Sequence, residues 1–134
     1  MKMTLDLALK MIKAARAKAK AIKVPQIIAV VDEGGNLVAQ HRMDGAILAS
    51  IDISLNKAFT AAATKTPTHV LGAAAQSGGP LFGLNTTNNG RIVIFGGGYP
   101  VQDENGEVIG AIGVSGGSVE EDMACAEAGL AAFN

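Results

Sequence analysis

The sequence predicts an α+β domain, with one antiparallel sheet and helices packed on its faces. Three observations point there. Apolar residues recur every three or four positions at both ends of the chain, which is helical spacing. Between those ends, β-branched runs come in groups joined by short glycine-bearing turns, so neighbouring strands are expected to run antiparallel. At 134 residues the chain fits a single domain, 1–134, with room for a substantial core.

The elements follow in order. Thr4 is placed to cap a helix whose Leu5, Ala8, Leu9, Ile12, Ala15, Ala19 and Ile22 form one stripe, with Lys10, Lys13 and Lys20 outside it. Pro25 ends it, because Val24 before proline is pushed out of helical geometry. Residues 27–31 read as a strand apolar on both faces, Asp32-Glu33-Gly34-Gly35-Asn36 as a turn, and 37–43 as the returning strand. On that second strand Leu37, Ala39, His41 and Met43 share one face, and Val38, Gln40 and Arg42 the other.

A helix over 47–64 is expected to bury Leu48, Ile51, Leu55, Ala58, Phe59 and Ala62. Thr66-Pro67 then reads as the N-cap and first position of a further helix, ending near Ser77-Gly78-Gly79-Pro80. Residues 81–90 read as a loop with one helical turn at 81–84. Strands are expected at 91–95, near Val101 and at Val108–Ser115, and a last helix at 119–133. Ser118-Val119-Glu120-Glu121 is a capping box. The predicted order is therefore α-β-β-α-α-β-β-β-α, a five-stranded sheet with helices around it.

Composition restricts the function. Hydrophobic residues make up 49% and aromatics only 4%, with a mean hydropathy of +0.29, which suggests a core of small side chains closely packed. No apolar run approaches the roughly 20 residues of a membrane span, and no signal-peptide pattern follows Met1, so a cytoplasmic protein with no membrane partner is expected. The single Cys125 excludes an internal disulfide and a cysteine-built zinc site. Seven of the eleven Lys and Arg residues lie in positions 2–23, and none follows Arg91. Without interleaved aromatics, and at a pI near 6.1, this asymmetry does not indicate nucleic acid. Complementarity between the basic first helix and the acidic last one, within or between subunits, is the better use.

The stretch most suggestive of a site is Phe95-Gly96-Gly97-Gly98-Tyr99-Pro100 and the strand after it. Three consecutive glycines are costly in chain entropy, so a ligand or another backbone is expected to come close there. Gly113-Val114-Ser115-Gly116-Gly117 matches the G-x-S-x-G elbow, but no histidine follows Ser115 to serve as base, which argues against a hydrolase. Neither glycine cluster meets the context of a dinucleotide or Walker loop. His41 and His69 are the only histidines; two isolated residues do not make a multi-histidine metal centre, yet either suffices as an axial ligand to haem iron. Arg42 and Asp44, with Lys57 on the following helix, form the best polar cluster, able to clamp a carboxylate or a propionate.

Several blocks, in order, resemble the GlcG/HbpS-like family: Val30-Val31-Asp32 with Gly34-Gly35, Arg42-Met43-Asp44-Gly45-Ala46, Lys57-Ala58, Phe95 to Pro100, and Ile109 to Gly117. Lys65-Thr66-Pro67-Thr68-His69 and the segment 116–123 are similar to the C-terminal domain of PduO-type corrinoid adenosyltransferases. The resemblance implies a profilin-like fold and homo-oligomers, and it implies haem b as cofactor ahead of a corrinoid. It also implies an accessory role, with a pathway enzyme as partner, in diol, glycerol or glycolate utilisation. The resemblance places the transferase chemistry of those proteins in their other domain, so none is expected of this one. On this reading His41, Arg42, Asp44, Lys57, His69, Gly96, Gly97, Gly98 and Tyr99 are the binding residues, with His41 or His69 on the iron. Two alternatives stand beside it: an enzyme acting on a small hydroxy acid or diol-derived metabolite, with Arg42 orienting a carboxylate, and a structural assembly subunit.

Overall fold

The structure, a computed structural model, describes residues 1–133. Its elements are α1 (Leu5–Ile22), β1 (Ile27–Asp32), β2 (Leu37–Arg42), α2 (Ala49–Thr64), α3 (Thr68–Ala74), β3 (Gly98–Gln102), β4 (Val108–Ser115) and α4 (Val119–Ala131). Two short 3₁₀ turns, Leu84–Thr86 and Asn88–Gly90, interrupt the loop before β3. The sheet is antiparallel throughout, in the order β2-β1-β4-β3. Helices α1 and α4 cover one face, packing on Ile28, Val30, Ile112 and Val114. Helix α2 covers the other, over Ala29, Val31 and Ala111.

Local chemistry sets most boundaries. The Thr4 hydroxyl accepts from the amide of Leu7 at 3.1 Å, and Lys23 closes α1 in the left-handed conformation at φ 59°. Asp32 Oδ1 accepts from the amides of Gly34 (2.9 Å) and Asn36 (3.0 Å), which fixes the β1–β2 turn. The capping box of α4 is complete: Ser118 Oγ accepts from the Glu121 amide at 3.2 Å, and Glu121 Oε1 from the Ser118 amide at 2.8 Å.

The sheet has four strands, not five. Residues 91–95 pair with no strand, because one side chain of α2 takes up two of their backbone groups. Thr60 Oγ1 accepts from the Val93 amide at 2.9 Å and donates to the Arg91 carbonyl at 3.2 Å. The order loses one strand accordingly. Helix α3 begins one residue later than the Thr66-Pro67 reading: Pro67 is the N-cap, and the Thr66 hydroxyl donates to the Thr64 carbonyl at 2.9 Å instead of capping.

Helix α2 departs furthest from expectation. Its buried face is Ser50, Ser54, Lys57, Ala58, Ala61 and Ala62, while Leu48 and Ile51 are exposed. The reason lies in the strands beneath. Ala29 of β1, Gly113 of β4 and Gly98 of β3 form one continuous rung. A Cβ on Gly113 would lie 2.6 Å from the Ala58 amide, and one on Gly98 would lie 2.5 Å from the Lys57 carbonyl. The helix backbone thus rests directly on the sheet, where only small side chains fit between, and the bulky apolar ones are displaced to its flanks.

Candidate functional site

The sequence-predicted residues fall into two separate groups. The first lies at the start of β3. All three glycines there are buried, and the protein itself occupies the space they open. A Cβ on Gly96 would meet Met123 Sδ at 2.5 Å; one on Gly97 (φ +126°) would meet Val114 O at 2.6 Å and Lys57 Nζ at 2.7 Å. Of the two close approaches expected there, a ligand or another backbone, the second is what the structure shows: α2, α4 and β4 come close.

Lys57 belongs to this group, which corrects its grouping with Arg42 and Asp44. Its side chain is fully buried, and Nζ donates to Asp122 Oδ2 at 2.9 Å and to the Val114 carbonyl at 2.8 Å. The Phe95 ring lies over it, 5.2 Å from Nζ to the centroid. Burial pushes the Lys57 ammonium below its ordinary pKa, and the Asp122 carboxylate partly restores it. Asp122 Oδ1 also accepts from the Gly117 amide at 2.8 Å. Asp122 carries no signal in the sequence beyond its place in the first turn of α4, and it was not among the expected residues.

Tyr99 and His69 stand nearby. The Tyr99 hydroxyl donates to Glu127 Oε1 at 2.8 Å, and burial followed by that carboxylate raises its pKa well above the ordinary value. The His69 ring lies 5.6 Å from the Tyr99 ring; it is half-buried, and its Nδ1 is buried with no hydrogen-bond partner among the described residues. Ser115, the apparent elbow serine, shares a 2.8 Å hydrogen bond with Ser50 and so helps to seat α2.

The second group forms an open groove of about 520 Å³ between α1 and β2. His41, Arg42 and Asp44 line its β2 side, with His41 on the sheet face toward α1 and Arg42, on the alternate face, at the end of the strand; Arg16 and Lys20 line its α1 side. His41 sits opposite Ile28 in the β1–β2 register and is exposed. Arg42 Nη2 donates to the Ala46 carbonyl at 3.3 Å. The two ion pairs among the described residues, Met1 amine–Asp103 and Lys57–Asp122, involve none of the groove's charges. Helices α1 and α4 are neighbours, as their opposite charge suggests, but no ion pair joins them; the contact is apolar, with a Gly129 Cβ position 3.3 Å from the Ala15 Cβ.

The groove's residues suit a haem-type ligand. An exposed imidazole can meet iron, guanidinium and ammonium groups can meet carboxylates, and the volume lies in the ordinary range for small-molecule sites, roughly 300–1,000 Å³. Among the described residues, no group of three or more His, Cys, Asp or Glu side chains is placed to hold a bare metal ion. None of the helices is long and apolar enough to cross a membrane.

Comparison with known proteins gives a consistent result. The family model described as haem-degrading protein HbpS-like matches residues 3–131. The chain is 53% identical over 131 residues to an uncharacterized 15.0 kDa protein in the dhaT-dhaS intergenic region of Citrobacter freundii, a match spanning 98% of this chain and 92% of that one. It is 44% identical over 122 residues to the corrinoid adenosyltransferase PduO of Citrobacter freundii. That match takes in 91% of this chain but 36% of the transferase, so the chain spans about a third of it. The crystal structure of a PduOC:heme complex superposes with a TM-score of 0.95 at 38% identity, covering 100% of this chain and 96% of the other.

Proposed function

We propose that this chain, which belongs to the HbpS-like family, is a haem-binding accessory protein whose ligand sits in the groove between α1 and β2. The observation that carries the reading is the meeting, in one concave site, of an exposed imidazole and cations that form no ion pair among the described residues. His41 would be the iron ligand and Arg42 a propionate partner. His69 is the less suitable ligand, since it does not line the groove. Bound haem would supply a redox-active iron with axial positions open to protein or solvent ligands. The relative solved as a PduOC:heme complex, at 38% identity, supports haem over a corrinoid. Adenosyl transfer is not part of the proposal. A cytoplasmic homo-oligomer that assists an enzyme of diol, glycerol or glycolate utilisation is the setting the family resemblance implies.

Hemin titration of the purified protein, followed at the Soret band, tests the reading. Saturation at a fixed ratio per chain is expected. His41→Ala should weaken it by tenfold or more, about 1.4 kcal/mol, and His69→Ala should leave it unchanged. Uptake that never saturates would remove the haem reading. Loss in His69→Ala with His41→Ala unaffected would remove the groove as its place.

A further inference from the structure

Helix α1 carries a feature that neither the fold nor the groove's imidazole accounts for. Arg16 and Lys20 are four residues apart, so they project from the same side of the helix as a like-charged pair. Such a pair is mildly destabilising by itself, and no carboxylate among the described residues forms an ion pair with either. Both line the groove, facing the β2 wall that carries Arg42. The site therefore gathers three permanent cations against one carboxylate, Asp44, a net of two positive charges. A macrocycle with two ionised propionates carries the matching two negative charges.

We infer that Arg16 and Lys20, together with Arg42, form a two-carboxylate clamp that makes the groove select tetrapyrroles bearing two free carboxylates. This inference rests on the haem reading above. Arg16, with its planar fork, and Lys20, as a mobile point charge, hold one carboxylate from the helix side while Arg42 meets the other. An esterified porphyrin, or a corrinoid whose peripheral carboxyls are amides, presents no charge to these groups and forfeits that selection. The remaining basic residues of α1 are not involved: Lys10, Lys13 and Lys18 are exposed and do not line the groove.

The experiment compares hemin with hemin dimethyl ester on the wild type, on Arg16→Gln/Lys20→Gln, and on Lys13→Gln/Lys18→Gln, which removes equal charge elsewhere on the same helix. All four positions are solvent-exposed, so the variants should fold as the parent does. The wild type should prefer hemin over its ester. Arg16→Gln/Lys20→Gln should lose roughly five- to thirtyfold in hemin affinity, together with most of that preference and of the salt dependence. Lys13→Gln/Lys18→Gln should bind as the wild type. Equal losses in the two double variants would reduce the effect to general attraction and overturn the clamp. So would an Arg16→Gln/Lys20→Gln protein that keeps the wild-type affinity and preference. If the wild type itself fails to saturate with hemin, the haem reading falls and the clamp falls with it; the other negative results sink the clamp alone.

Discussion

Lys57 of α2 and Asp122 of α4 meet at 2.9 Å past the start of β3, and this ion pair fastens together two helices that lie on opposite faces of the sheet. Their side chains are 0% and 5% exposed. The geometry depends on Gly97, since any side chain there would collide with the lysine amine. Two buried charges recover their desolvation cost only while both are present. Lys57→Met alone should therefore cost about 3–5 kcal/mol, because it strands the Asp122 carboxylate. Lys57→Met/Asp122→Leu should regain part of that loss: no buried charge is stranded and the exposed Gly117 amide can bond water, while the buried Val114 carbonyl, left without its donor, keeps a cost of about 1–3 kcal/mol. Urea denaturation of both variants decides it: a cost below about 1 kcal/mol for the single change would mean the pair is solvated.

The same lysine should make stability depend on pH. Its folded pKa lies below the ordinary 10.5, with burial as the main cause. Between the folded and unfolded values the unfolded chain holds more protons, so stability rises with pH across that window and levels off above 10.5. The wild-type urea midpoint, measured relative to Lys57→Met/Asp122→Leu, should climb as pH rises toward that value. A flat difference would contradict the depressed pKa.

Tyr99 should act in the opposite sense. It is the one tyrosine in the chain, and burial plus the Glu127 carboxylate hold its phenol protonated beyond the ordinary 10.0. Unfolded chains lose that proton above pH 10.0 while folded ones keep it, so this contribution is lost as pH rises. Tyrosinate absorbance should therefore appear only with unfolding in the wild type, and at lower pH in Glu127→Gln. Ionisation near 10 in the folded protein would refute it.

The glycine rung makes a steric prediction. Gly113→Ala would drive a methyl group into the α2 backbone, with the Lys57 Cβ at 3.0 Å as a further obstacle. A loss of about 1–3 kcal/mol or more is expected, as for other overpacked cores. Gly106→Ala provides the contrast: its φ is +79° but nothing lies within 4 Å of the added carbon, so only a backbone cost of about 1–2 kcal/mol applies. A Gly113→Ala loss below about 1 kcal/mol would mean that α2 can lift off the sheet.

Much of the fold was legible because it is local. The N-cap at Thr4, the Asp32 turn and the capping box at Ser118 each involve residues within four positions of one another, and each forms as the sequence implies. The β-branched runs of β1 and β4 likewise announce central strands. What periodicity could not reveal was the inner face of α2, since helical spacing places Leu48 and Ile51 on a stripe without saying whether the surface beneath admits large side chains. Nor could it show that Thr60 withholds residues 91–95 from the sheet.

The site divides along the same line. His41, Arg42 and Asp44 were recognisable because they are consecutive or nearly so, at the end of β2 and in the turn after it, and they do line one groove. Arg16 and Lys20, which face them, sit more than twenty positions earlier and read in sequence as part of a solvated helix. Lys57 and Asp122 are 65 residues apart and meet only once both helices are seated. The sequence by itself determined the four main helices and four of the five expected strands, the caps at Thr4 and Ser118, and the family. Tertiary structure decided which polar residues are buried and which share a cavity, because burial and encounter depend on how the layers close, which nearest-neighbour chemistry does not encode.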